Sequence, residues 1–332
     1  MAKGNTLYVG GSGPNNYTKI QDAVDNSSDG DTVFVYDDSS PYYEHITIDT
    51  SITVRGENKL TTIIDSSYGL ETSFQINTDY VTITGFTFQN SGCGVYIGGP
   101  HKIASHNTVK DNRFLNTHMG VVMFYGDTQI LQFTKYGYNI IADNLIVGPK
   151  YMGIYAVEGR NNQIIGNTIS NVEPTPNYGM GIYLIAGAYN NISFNNITDN
   201  GVYGIDMYIT YDNLVYRNNI KNNPRGLFME WVSFDTIKQN NFIGNTKNVL
   251  VHQSLMYMIN STLSQHHPLL PVRWAENYWD EPRTQPYRIP TLFDFYDFVY
   301  IISGGQKSFL NLIRFDRHPA SQPYDISQGM VG

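Results

Sequence analysis

Two carboxylates, Asp206 and Glu230, are the residues of this chain best suited to do chemistry. Each follows a Gly in a short alternating run, Gly204-Ile-Asp-Met and Gly226-Leu-Phe-Met-Glu, so both side chains are expected to point outward from adjacent repeats. One repeat spacing plus two residues along a strand would set their Cα atoms roughly 8 Å apart. That separation suits a general acid and a general base flanking a water, the inverting arrangement for splitting a glycosidic bond. It suits equally two independent solvated carboxylates, the commoner arrangement. Tyr155, Tyr183, Tyr208, Phe228 and Trp231 fall at neighbouring outward positions. A row of rings on a flat sheet offers a platform on which sugars stack through their C–H faces. The same row also serves as plain cross-strand packing. Asp199, Asp212 and Asp235 sit in bends, where turn geometry accounts for Asp.

These residues are positioned by a repeated phrase. Its first half reads Asn-x-(Ile/Phe), at Asn112, Asn144, Asn167, Asn195, Asn218 and Asn240. Its second half opens on Gly94, Gly120, Gly153, Gly181, Gly204 and Gly226. The first and third residues after each Gly are apolar in every copy, from Val95/Ile97 to Leu227/Met229. Period-two alternation in runs this short is the strand signal. A unit of this size cannot bury its own apolar side, so copies must stack. The fold expected is all-β: a single-stranded right-handed parallel β-helix of about eight to ten coils. Equivalent Asn residues then lie above one another and form an amide ladder, with Phe86 in the same column one coil earlier.

The ends differ from the middle. Residues 1–45 read as an N-terminal cap and first strands, with a short helix burying Ile20, Ala23 and Val24. Residues 46–262 read as the coils. Residues 263–332 lose the repeat and read as an irregular C-terminal cap wrapped over the last coil. The run Phe298-Val-Tyr-Ile-Ile-Ser303 is too short to span a bilayer and suits an apolar hairpin docked on the cap, a membrane surface or a partner. Cys93 is the single cysteine, which excludes an internal disulfide. A net charge of −8 with 15% charged residues argues against general binding to nucleic acid or anionic membrane. There is no P-loop, nucleotide fingerprint or zinc-type Cys pair, and no cofactor or metal is expected. No transmembrane segment and no signal peptide is seen in this chain.

The run Ile20-Gln-Asp-Ala-Val-Asp…Gly30-Asp-Thr-Val-Phe-Val…Ile52-Thr-Val-Arg-Gly-Glu…Thr62-Ile-Ile-Asp65 resembles the opening of pectin-lyase-like right-handed β-helix proteins. The Asn-x-Ile…Gly-Ile-Tyr repeats resemble those of the NosD-like group of carbohydrate-binding and sugar-hydrolase (CASH) domains. The segment Asn277-Tyr-Trp-Asp…Phe315-Asp-Arg-His-Pro-Ala-Ser-Gln-Pro-Tyr-Asp325 is similar to the C-terminal segment of archaeal and bacterial surface members. The resemblance implies export to the cell surface and a glycan or cell-envelope polysaccharide as partner, or a structural role there. It also implies a possible surface-protein partner through the C-terminal segment. It supplies no catalytic residue, because the active-site patterns of polygalacturonases, alginate epimerases and pectate lyases are missing. A hydrolase or lyase using Asp206 and Glu230 is the alternative. A third reading follows from the NosD resemblance: His252, Met256, Met258, His266 and His267 are soft or borderline ligands suited to copper, or ordinary packing and loop residues.

Overall fold

The structure is a computed structural model. It describes residues 4–125 apart from 68 and 101, then 136–254, 272–281, 285, 287–289, 291–294, 309–311 and 314–326. Among the described residues three sheets run along the chain, with eleven, nine and eleven strands, parallel except where Phe309–Asn311 joins the end of the third antiparallel. One coil contributes one strand to each, as in Gln163–Ile165, Thr168–Ser170 and Met180–Ile185. The next coil pairs with it residue for residue, Ile164 on Ile192, Ile169 on Ile197, Ile182 on Ile205. This is the right-handed parallel β-helix expected from the repeat. The only helix among the described residues is Ile20–Asp25.

The third sheet, built of six-residue strands, shows why the phrase opens on Gly. The residues after it, Val121, Met123, Ile154, Ala156, Ile182, Leu184, Ile205 and Met207, are fully buried. At the Gly itself the next coil's backbone comes too close for a side chain. A Cβ on Gly153 would lie 2.5 Å from the Gly181 carbonyl oxygen, and one on Gly181 would lie 2.7 Å from that of Gly204.

The Asn column is a continuous ladder. Each Asn Oδ1 accepts the backbone N–H of the Asn one coil back and also its Nδ2–H. Asn167 donates to Asn195 at 2.9 and 3.0 Å, and Asn195 donates to Asn218 at 2.9 and 3.0 Å. Phe86 opens the column, its N–H donating to Asn112 at 3.1 Å. Two further ladders were not anticipated. One runs Asn107, Asn139, Asn162, Asn190, Asn213 and ends on Asp235. The other links Asn200, Asn223 and Asn245. Asp235, which follows the bend at Phe234, is therefore also a buried ladder terminus, a role turn geometry alone does not account for. A residue with left-handed backbone precedes each ladder Asn, such as Phe194 (φ 59°) before Asn195 and Arg217 (φ 50°) before Asn218. That conformation costs an ordinary residue roughly 1–2 kcal/mol, which the ladder bonds offset.

At the N-terminal end Ile20, Ala23 and Val24 cover the first coil, and the Glu44 carboxylate accepts the N–H groups of Ile20 and Gln21. Beyond residue 262 the stacking continues: Arg273–Ala275 joins the first sheet and Tyr278–Trp279 the second. Asn277 extends the first ladder, and Asp316 closes it, accepting from the Asn277 N–H, Asn277 Nδ2 and Trp279 Nε1 at 2.9, 3.1 and 3.2 Å. The Phe298–Ser303 run lies outside the described residues.

Replacing Asn195 with Leu removes the acceptor of both Asn167 donors and leaves the Ile164 carbonyl without its 2.8 Å donor. Unpaired buried groups should lower stability by about 1–3 kcal/mol. Urea unfolding of the variant measures this, and an unchanged midpoint would show the column to be dispensable.

Candidate functional site

Outward positions on the third sheet form three columns. Beside the Gly run Met152, Met180, Tyr203, Arg225 and Lys247; two residues past the Gly run Tyr155, Tyr183, Asp206, Phe228 and Leu250; two further on run Val157, Ile185, Tyr208, Glu230 and His252. The apolar and aromatic character of the earlier coils gives way to charge over three successive coils. Asp206 and Glu230 fall there as diagonal neighbours on one side of the sheet, since Asp206 pairs with Phe228 and Glu230 with Tyr208.

Asp206 is not the solvated carboxylate that its outward position suggested, being only 6% exposed. Tyr203 leans sideways to stack on Phe228, with ring centroids 5.0 Å apart and planes 13° from parallel. Those rings and Tyr183 wall Asp206 in. Burial, and then the neighbouring Glu230, push the Asp206 carboxyl from its ordinary 3.8 up to about 7. Glu230 is half-buried and meets His252, with Oε1 2.9 Å from Nδ1. The patch therefore holds a carboxyl that keeps its proton near neutrality beside a carboxylate held by an imidazole. A strongly perturbed carboxyl beside a second, hydrogen-bonded one is the kind of arrangement found at acid/base sites.

Tyr183 and Tyr208 share this sheet side and are shifted upward, first by burial and then by the carboxylates. Tyr155 stacks on Tyr183 at 5.5 Å, and Tyr208 meets Trp231, in the following bend, at 5.2 Å with the rings tilted. Six of the seven residues singled out in the sequence thus lie on the outer side of the third sheet, and Trp231 meets them from the following bend through Tyr208. The rings' faces are partly taken up by one another. Sequence reasoning missed Tyr203 and Arg225, which approaches the Tyr203 ring at 5.4 Å. The change from Met to Tyr and Arg just before the Gly was the available signal. Of the copper-type residues, His252 is engaged with Glu230, and Met256, Met258, His266 and His267 lie outside the described residues. Among the described residues no three His, Cys, Asp or Glu side chains are grouped to hold a metal ion. None of their helices is long and apolar enough to cross a membrane.

Comparison with known proteins agrees with this architecture. The model of the right-handed β-helix region matches residues 101–263, and that of the periplasmic copper-binding protein NosD matches residues 24–175. The chain is a right-handed parallel β-helix protein resembling the pectin-lyase-like and NosD-like group. Among solved structures, XylC in complex with xylose is similar at 12% identity and TM-score 0.57, over 87% of this chain and 71% of that one. An alginate lyase from Paenibacillus sp. str. FPU-7 is similar at 15% identity and TM-score 0.51, over 75% of this chain and 93% of that one. A PL6 alginate lyase in complex with a trisaccharide is similar at 13% identity and TM-score 0.52, over 76% of this chain and 60% of that one. At these identities the likeness is one of fold. No curated protein matches the sequence significantly.

Asp206 and Asp235 both have folded-state values near 7, against an ordinary 3.8. Between those limits the folded chain binds protons that the unfolded chain releases. Stability is therefore highest below about pH 4 with respect to these groups, falls as pH rises, and levels off above about pH 7. Each should contribute on the order of a few kcal/mol. Asp206→Asn should remove its share of that slope and raise the melting temperature at pH 8, measured by calorimetry across pH. An unaltered slope would place the Asp206 carboxylate in contact with water.

Proposed function

We propose that the protein binds a polysaccharide, of the cell envelope or otherwise outside the cytoplasm, along the face of the third sheet around Asp206 and Glu230. The observation that carries this reading is the break in all three outward columns at the same coils, which gathers Asp206, Glu230, His252 and Arg225 among Tyr183, Tyr203, Tyr208 and Phe228. Hydrogen-bonding side chains beside apolar rings match the mixed surface of a sugar. The solved structures of like fold include proteins described with xylose, with a trisaccharide and as alginate lyases, which favours a glycan over other ligands. A surface-protein partner contacting the C-terminal segment belongs to the same proposal.

Hydrolysis is the second reading, favoured by the protonated Asp206 beside the Glu230–His252 pair. Asp206 would donate its proton to the glycosidic oxygen as the bond to the anomeric carbon breaks. Glu230, oriented by His252, would take a proton from the water that attacks from the other side.

A glycan array with a reducing-end assay beside it separates the readings. If binding is the function, Tyr183→Ala should weaken the glycan found by about tenfold without unfolding the chain, the loss of one aromatic contact. Asp206→Asn should weaken it modestly, because an amide still hydrogen-bonds to hydroxyls. If hydrolysis is the function, Asp206→Asn and Glu230→Gln should each abolish release of reducing ends while affinity stays nearly constant. Binding that survives all three substitutions would remove this face from both readings.

A further inference from the structure

We propose a binding site for a small organic ammonium ion of the trimethylammonium type at the N-terminal end of the first sheet. It does not depend on the reading of the third sheet. A cavity of about 470 Å³ lies there, walled by the rings of Tyr8 and Tyr36, the Asp38 carboxylate, the Asn16 amide and the loop 11–13. Tyr8 and Phe34 are outward residues paired across the strands Thr6–Val9 and Thr32–Val35, and Tyr36 follows the second strand. The Tyr8 and Tyr36 rings have centroids 6.0 Å apart and planes 24° from parallel, and Phe34 stands across them at 62° and 76°. The loop after the first strand lies against Tyr36. Gly11 has left-handed backbone (φ 70°), and a Cβ on it would lie 2.7 Å from the Tyr36 ring, so only glycine lets the loop close there. Asn16 Nδ2 donates to the Gly10 carbonyl at 2.5 Å and the Gly11 N–H donates to Asp38 Oδ1 at 2.9 Å, which fixes both polar walls.

The charge in this cavity is one-sided. Asp38 Oδ1 also accepts the Ser39 hydroxyl at 3.1 Å, while Oδ2 has no hydrogen-bond or ion-pair partner among the described residues. No Lys, Arg or His lines the cavity. Asp37, next in the chain, makes no ion pair among the described residues and accepts the Thr61 hydroxyl at 2.5 Å. The ring cluster already takes a cation on the side of the following coil, where Arg55 pairs with Phe34 and sets its guanidinium over that ring at 5.9 Å.

These features select the ligand. Ring faces attract a cation through their quadrupole, and a carboxylate with no counter-ion adds to the attraction. A quaternary ammonium has no N–H to satisfy, so rings and one carboxylate suffice for it, whereas a primary ammonium has three donors to place. A calcium or magnesium ion takes more oxygen ligands than one carboxylate supplies. Asp37 and Asp38 repel anions, so a ligand carrying its own carboxylate or phosphate beside the ammonium group is disfavoured.

The test is proton NMR of choline titrated with the intact protein. The N-methyl signal should move upfield and saturate, because methyl groups lying against ring faces sense the ring current, and binding should weaken as salt is raised. The uncharged tert-butyl analogue of choline, and glycine betaine with its added carboxylate, should each bind roughly tenfold more weakly. Asp38→Asn keeps an acceptor for the Gly11 N–H but removes the charge, and should weaken choline roughly threefold to tenfold. Tyr8→Leu keeps apolar bulk but removes the ring, and should weaken it roughly twofold to fivefold. Asp38 is exposed, so its variant should keep the melting temperature, and Asp206→Asn should leave choline binding intact. The uncharged analogue probes the unaltered protein, whatever Tyr8→Leu does to folding. The proposal is overturned by the absence of a saturable shift, by equal binding of the uncharged analogue, by displacement of choline with neutral xylo-oligomers, or by unchanged affinity in Asp38→Asn. Loss of choline binding in Asp206→Asn overturns it too, by placing the ligand on the third sheet.

Discussion

The coil-to-coil amide ladder is the interaction on which the rest of the structure depends. A solenoid of this kind must turn sharply at its corners, and a corner leaves backbone N–H groups inside that strands cannot pair. An Asn placed there solves the problem for the coil before it. Its Oδ1 accepts the preceding corner's N–H, while its Nδ2 supplies donors to the interior, as Asn195 does toward Ile164. Because every rung needs the next in register, the ladder fixes the stacking to the residue. Outward side chains then fall into columns without further specification.

The ends of the ladders follow from the same donor inventory. An Asn at the last position would still have amide protons to place. An ionised Asp accepts only, and a protonated one has a single O–H to place, so it stops a ladder with fewer donors left over than an Asn would have. Asp316 does this for the first column, and also accepts the His318 N–H at 3.2 Å, so one side chain both ends the ladder and pins the C-terminal segment. Asp235 does it for the second, where the Thr210 hydroxyl reaches its other oxygen at 3.0 Å. The next residue in that column is Val272, which offers no acceptor.

What could be read from the sequence was whatever repeats at a fixed local offset. The Gly positions, the apolar pairs that follow them and the first Asn column all have that property, and the fold follows from them. The second and third ladders did not stand out, because their Asn residues are scattered among the Asn that turns use anyway. Asp235 was read as one of those turns, since the hydrogen bonds that bury it come from the coil before. Asp206 was placed on the correct side of the sheet but given to the solvent. Its burial depends on Tyr203 leaning across to Phe228, a lateral contact between columns that one-dimensional alternation does not encode.

That lateral contact bears on what the third sheet does. A column whose role is to support the sheet gains most from like neighbours, as where Tyr155 stacks on Tyr183. Interrupting it with Asp206 forfeits a ring contact on either side and buries a carboxyl against its preference for water. The adjacent columns change at the same level, Met180 to Tyr203 to Arg225 on one side and Ile185 to Tyr208 to Glu230 to His252 on the other. Tyr203 regains a ring contact on Phe228 and Tyr208 one on Trp231, but Asp206, Glu230 and His252 do not, and the ladders inside continue through them undisturbed. The scaffold thus tolerates an expensive outer surface at these coils because its register is held from within. Three coincident departures from a stacking pattern are the ground on which the proposed glycan is placed at these coils.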